Sequence, residues 1–356
     1  MSRFWNSNTR NITPYVPGEQ PGDKTLIKLN TNENPYPPSP LALERIRNIS
    51  LPDLRLYPNS EGKIVKKAIS DYYGIAEDQV FVGNGSDEVL GLLFKAFFDE
   101  TAKVAFPDIT YSFYPVYGDL FKIPYMKIPL KEDFTIDFGD YPRGVKAIVF
   151  ANPNAPTGLY IPVEKIEELL KDRPDTLIVV DEAYIDFGGE SCVPFILKYD
   201  NLIVVQTLSK SRALAGLRIG FAMGSAPLME GLVRVKDSFN SYPLDTIAQV
   251  AAEAAFQDKA YFDETRGKII KTREWAKEQL KDMGAEVTDS RSNFLFVKIP
   301  GMAGSVALEQ LRKRGILVRN FKNQRISDWL RITVGTDADM AKVAEEITLI
   351  RNLSRE

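Results

Sequence analysis

The chain has 356 residues, 44% of them hydrophobic, enough for a large core and for two or three domains. A formal net charge of -3, with no long run of like charges, gives no electrostatic reason to expect nucleic acid or an anionic membrane as partner. There is no histidine and one cysteine, Cys192, so histidine-based triads and dyads, HExxH metal sites, disulfides and multi-cysteine zinc sites are excluded.

The first residues, MSRFWNSNTRNITPY, lack a basic segment followed by an apolar one, and no stretch approaches the ~18 apolar residues of a membrane span. A cytoplasmic protein is expected. Residues 1–30 are rich in Asn, Pro and Gly, and Pro35, Pro37, Pro38 and Pro40 follow, so the start reads as an extended arm packed on a small domain or on a partner subunit. Within residues 31–260, short apolar runs (QVFVGNGSDE, KVAFPD, AIVFANPN, LIVVDEAY, LIVVQTLSK, IGFAMG) alternate with amphipathic segments such as DEVLGLLFKAFF and PVEKIEELLKDR. That alternation predicts an α/β large domain with a mostly parallel sheet flanked by helices. A long helical stretch runs from about 227 to about 283, and NFLFVKI, ALEQLRKRG, ILVRNF and WLRITVG predict a smaller α+β domain over 261–356.

If the chain is an enzyme, lysine, a carboxylate or tyrosine must move its protons. LIVVDEAY sets Asp181 and Glu182 at a buried strand end, and LIVVQTLSK brings Lys210 to another, the edge where open α/β sheets bind ligands. A lysine there can join a carbonyl cofactor, while a buried carboxylate can keep a pyridine nitrogen protonated. Taken singly, Lys210 reads more readily as a solvent-facing lysine and Asp181 as a cap. The neighbours decide for chemistry: Thr207 and Ser209 offer hydroxyls, Arg218 a guanidinium, and GNGSDE a glycine turn opening a helix, together a cup for phosphate. Cys192 reads as a small core residue.

GNGSDE, NPNAPTG, DEAY and TLSK followed by LAGLRIG resemble, in order and spacing, the motif series of the fold-type I pyridoxal-phosphate aminotransferases. The resemblance implies that Lys210 carries the cofactor pyridoxal 5'-phosphate, that Asp181 pairs with its ring nitrogen, and that Tyr184 contacts its ring hydroxyl. It implies phosphate contacts from Ser86, Asp87, Thr207, Ser209 and Arg218, with Tyr57 supplied by a second subunit, and a ring stacked on Tyr111. The family's asparagine directly before PTG is Ala155 here, so Asn154 or Asn152 is expected in its place. RNITPY, LNTNENPYPPSP, RLYPNSEG, ILVRNF and LRITVGT extend the likeness to the histidinol-phosphate aminotransferases over nearly the whole chain. That implies small-molecule substrates (histidinol phosphate, then glutamate or 2-oxoglutarate) bound by Arg331, Arg319, Asn32 and a partner's Tyr15, no metal, and a homodimer with shared active sites. Related enzymes acting on aromatic amino acids or threonine phosphate, and a non-catalytic cofactor-binding regulator, are the competing expectations.

Overall fold

The computed structural model describes residues 2–22 and 25–353. The strands in chain order are β1 (Ile27–Lys28), β2 (Val80–Asn84), β3 (Val104–Pro107), β4 (Tyr125–Ile128), β5 (Ala147–Ala151), β6 (Leu177–Asp181), β7 (Leu202–Thr207), β8 (Ile219–Gly224), β9 (Glu286–Val287), β10 (Phe294–Lys298), β11 (Ile316–Leu317), β12 (Arg319–Asn320) and β13 (Trp329–Thr333).

Seven of them form one sheet in the order β2-β8-β7-β6-β5-β3-β4. All neighbours are parallel except at β8, which runs against both β2 and β7. Every residue of β5, β6, β7 and β8 is buried, the mark of strands covered on both faces. Successive residues feed opposite cores: Ile178, Val180, Leu202 and Val204 pack on one side, Leu177, Val179, Ile203 and Val205 on the other. The helix Val163–Asp172 shows how a flanking layer is made, since Val163, Ile166, Leu169 and Leu170 fall on one stripe and are buried.

The second sheet, β12-β13-β10-β9, is antiparallel and lies under the helices Lys259–Asp282, Gly304–Lys313 and Asp337–Leu353. Its core gathers Ile269, Ala276, Leu295, Val297, Leu311, Leu330, Ile332, Val343 and Ile347. Leu29 joins that core, and β1 pairs in parallel with β11, so the N-terminal segment is tied to this unit. The predicted extended arm is interrupted by one short helix, Ser7–Asn11, in a proline-free stretch that Asn6 caps by accepting from the Thr9 amide. The helical stretch predicted after 227 is three helices, Ala226–Asp237, Thr246–Gln257 and Lys259–Asp282, with Asp245 and Asp258 capping the second and third. No helix among the described residues is long and apolar enough to cross a membrane.

Candidate active site

The ends of β2, β5, β6 and β7 and the start of β8 meet at one edge of the large sheet. A cleft there is lined by Ser86, Asp87, Tyr111, Ala151, Ala155, Asp181, Ala183, Tyr184, Thr207, Ser209, Lys210 and Arg218. Residues predicted from four separate motifs thus share one wall.

Lys210 donates to the Thr31 carbonyl at 3.2 Å, and its ammonium lies 5.8 Å from the centroid of the Tyr184 ring. Asp181 is buried, accepting from the Tyr114 hydroxyl at 3.0 Å and the Ala183 amide at 3.1 Å. Burial pushes its carboxyl up to about 6, against the Tyr114 and Ala183 hydrogen bonds and the Lys210 charge, which pull it down. Tyr114 went unnoticed in the sequence; it lies in the first turn of the helix Phe113–Phe121, which starts two residues after Tyr111. Glu182, by contrast, faces away from the cleft. Strand alternation sends it to the other core, where it accepts from Ser191, the Cys192 amide and Gln206, and burial raises it to about 7.

At the phosphate-cup end, the helix Gly85–Phe97 opens with Gly85, Ser86 and Asp87. Its first amides have no partner within the helix, so its N-terminus favours an anion. Two glycines make the approach possible. Gly85 has φ +81°, and a Cβ on Gly220 of β8 would fall inside contact distance of the Ser86 amide nitrogen. Thr207 and Ser209 join hydroxyls at 3.0 Å, and Arg218 reaches the Asp87 carboxylate at 3.4 Å. Tyr111 donates to that same carboxylate at 2.6 Å, which fixes its ring at the cleft.

Other expected residues lie elsewhere. Asn154 donates to the Ile109 carbonyl and Thr157 and accepts from Thr110, while Asn152 exchanges two bonds with the Ile161 backbone, so both amides are engaged in holding their loop. Ala155 alone of the three lines the cleft. Asn32, expected on substrate, gives its amide to the Tyr184 hydroxyl at 2.8 Å. Tyr57 is 82% exposed and stacks on Tyr242 with ring centroids 4.6 Å apart, away from the cleft of its own chain. Tyr15, expected from a partner, packs on Phe113 of its own chain at 4.4 Å, and Phe113 in turn lies 5.7 Å from Tyr111.

Arg331 and Arg319 are register partners across β12 and β13. Arg331 donates to the Asn30 carbonyl at 3.0 Å and lies over the Phe294 ring, but its buried Nε has no hydrogen-bond partner. Arg319 reaches only the Val16 carbonyl, at 3.3 Å. Neither arginine is paired with a carboxylate among the described residues. Like charges set directly opposite each other repel, and a buried charge is costly unless compensated. No cluster of acidic residues or cysteine that could hold a metal occurs among the described residues.

The model of the family described as aminotransferase class I and II matches residues 24–347. The chain belongs to this family. Among its relatives, the histidinol-phosphate aminotransferase of Clostridium acetobutylicum is 52% identical over 347 residues, covering 98% of this chain and 99% of the other. That of Pseudomonas syringae pv. syringae is 52% identical, covering 94% and 96%. Among solved structures, the histidinol-phosphate aminotransferase of Sinorhizobium meliloti in complex with pyridoxal-5'-phosphate superposes with a TM-score of 0.88 at 25% identity, over 99% of both chains. The L-threonine-O-3-phosphate decarboxylase of Porphyromonas gingivalis, at 20% identity and a TM-score of 0.80 over 92% of this chain and all of that one, shares the fold.

Proposed function

We propose that this aminotransferase acts on histidinol phosphate and 2-oxoglutarate, giving imidazole acetol phosphate and glutamate by way of pyridoxal phosphate. The observation that carries the substrate reading is the Arg319–Arg331 pair, two guanidinium groups opposed across one ladder without a carboxylate, with Arg331 over the Phe294 ring that packs on Tyr184 of the cleft. Both substrates bring an oxyanion, phosphate in one half-reaction and carboxylate in the other, and guanidinium groups grip either. The names of relatives at 52% identity point to the same substrate.

The cleft fits pyridoxal phosphate in its donor set. The amides of Ser86 and Asp87, the hydroxyls of Thr207 and Ser209 and the Arg218 guanidinium suit the phosphate; Asp181 suits the ring nitrogen, Tyr184 the ring hydroxyl, and Tyr111 the ring face. When bound, the cofactor supplies an electron sink for the bond-breaking step. Asp181, held by the Tyr114 hydroxyl and the Ala183 amide, would set its carboxylate against the ring nitrogen, whose charge would offset the burial that otherwise favours the acid form. With substrate bound, the Lys210 amine would be the group placed to take the substrate's Cα proton at Nζ and hold it for return. The Thr31 carbonyl, 3.2 Å from Nζ, keeps that amine at the cleft wall. Both half-reactions use one site, which gives ping-pong kinetics.

The reading extends to a cytoplasmic homodimer. Leu51, Leu56, Tyr57 and Phe239 are large apolar side chains left 53% to 82% exposed, the kind of surface a partner subunit covers. A second copy is the partner that would cover it and bring Tyr57 to the neighbouring cup.

The test is an assay of histidinol phosphate, phenylalanine and threonine phosphate side by side, with a visible spectrum of the protein loaded with pyridoxal phosphate. Turnover should be highest with histidinol phosphate, and Lys210→Ala should lose the lysine-dependent absorbance band and at least about a thousandfold in rate. Preferential turnover of either rival substrate would replace the substrate reading; a wild-type protein that takes up no cofactor would refute the whole.

A further inference from the structure

Asn32 is buried, sits at φ +58°, and is held from three sides. Its backbone amide donates to the Thr333 hydroxyl at 3.0 Å, its carbonyl accepts from Asn293 at 3.0 Å, and its side chain lies between Thr333 and Tyr184. The hydrogen bonds along this line run in one direction. Thr333 Oγ1 accepts the Asn32 amide and gives its own proton to Asn32 Oδ1, 3.2 Å away. That turns Nδ2 toward Tyr184, where it donates to Oη at 2.8 Å. A tyrosine hydroxyl that accepts there has its single proton left for the cleft.

We propose that Asn32 and Thr333 are positioning residues that fix Tyr184 as a hydrogen-bond donor toward the cofactor's ring oxygen. The proposal rests on the reading of Tyr184 given above and adds to it the source of that hydroxyl's polarity. It also reassigns Asn32 from substrate contact to control of the cofactor's partner. Position 155, at the cleft wall, offers only a methyl group, so the donor polarity of Tyr184 matters more in this chain. The charged and titratable groups that face Tyr184 are Lys210, Arg331 and Tyr114, and none of them engages its hydroxyl. The Phe294 ring packs edge-on against it at 5.1 Å and leaves the hydroxyl as its one polar handle.

The consequence is readable without turnover. A donor to the ring oxygen stabilises its anion and competes with the nearby proton on the lysine-linked nitrogen, so the pH midpoint of the visible band is held low. Removing that polarity should raise it. The experiment titrates the band of the cofactor-loaded protein in Thr333→Val, Thr333→Ser, Asn32→Gly and Tyr184→Phe, and in Thr333→Val combined with Tyr184→Phe. Glycine is chosen at 32 because it deletes the amide while tolerating the positive φ. Thr333→Val and Asn32→Gly should each raise the midpoint by about one pH unit, and Thr333→Ser, which keeps the hydroxyl, should restore the parent value. In the Tyr184→Phe background the valine should add no further shift. An unmoved midpoint in Thr333→Val, or an equal shift with and without Tyr184, overturns the relay. Those results leave the band in place, whereas failure of the cofactor reading shows as no band in the parent protein.

Discussion

Two carboxyls of one dipeptide are held above their ordinary range for the same reason and to different ends. Burial raises Asp181 to about 6 beside the cleft and Glu182 to about 7 on the opposite face of the sheet. For an acid whose folded value is raised, stability is fully present below the unfolded value and is lost as pH climbs through the folded one. The cofactor-free protein should therefore lose stability between about pH 4 and pH 7, with a ceiling of roughly 3 kcal/mol for each group. Glu167, held down to about 2 by Lys198 and Lys171, acts oppositely but only at lower pH, where it loses its partners as it protonates. Thermal melts of Asp181→Asn and Glu182→Gln should be flatter over pH 5 to 8 than the parent's; an unchanged slope in both would mean that other groups set it.

At the scale of elements, the cup depends on how closely β8 passes the helix Gly85–Phe97. Gly220→Ala places a Cβ against the Ser86 amide nitrogen, backbone against backbone, so neither side can yield cheaply. The expected outcome is at least about tenfold weaker retention of pyridoxal phosphate with a folded large domain, measured by equilibrium dialysis and circular dichroism, since the substitution displaces the helix-start amides that favour an anion. Much of this level was legible in the chain. Four buried strands announced themselves as unbroken apolar runs, and the period of two in LIVVDE already assigns Asp181 and Glu182 to opposite faces. The antiparallel course of β8 was not legible, because direction depends on the connection rather than on composition. Neither was β1, two residues long and defined only by its partner β11. The Asn32–Thr333 contact spans 301 residues and has no local signal at all.

In the whole molecule, the cleft is assembled from distant parts. Lys210 and Asp181 come from the large sheet, while Asn32 and Thr31, which bond Tyr184 and Lys210, come from the segment tied to the small unit. Arg325 also crosses between them, binding Asp108 at 2.7 Å and the Leu130 carbonyl at 2.8 Å. Tyr57 is an expected site residue that its own chain leaves outside the cleft lining. If the neighbour's Tyr57 completes each cup, mixing Lys210→Ala with Tyr57→Ala should regain activity, because one of the two clefts in a mixed dimer then has both residues. Recovery of up to about a quarter of the parent rate is expected on random reassociation. Additive rates with no recovery would show that each chain works with its own residues.

Cys192 is fully buried, its amide bound to Glu182, and burial together with that carboxylate raises its thiol far above the ordinary range. An alkylating reagent can reach it only when the core of the large domain opens, and the native thiol is then the chain's sole target. Its labelling rate is therefore a built-in clock for that opening, and the slowing of the clock on adding pyridoxal phosphate measures how firmly the ligand locks the sheet.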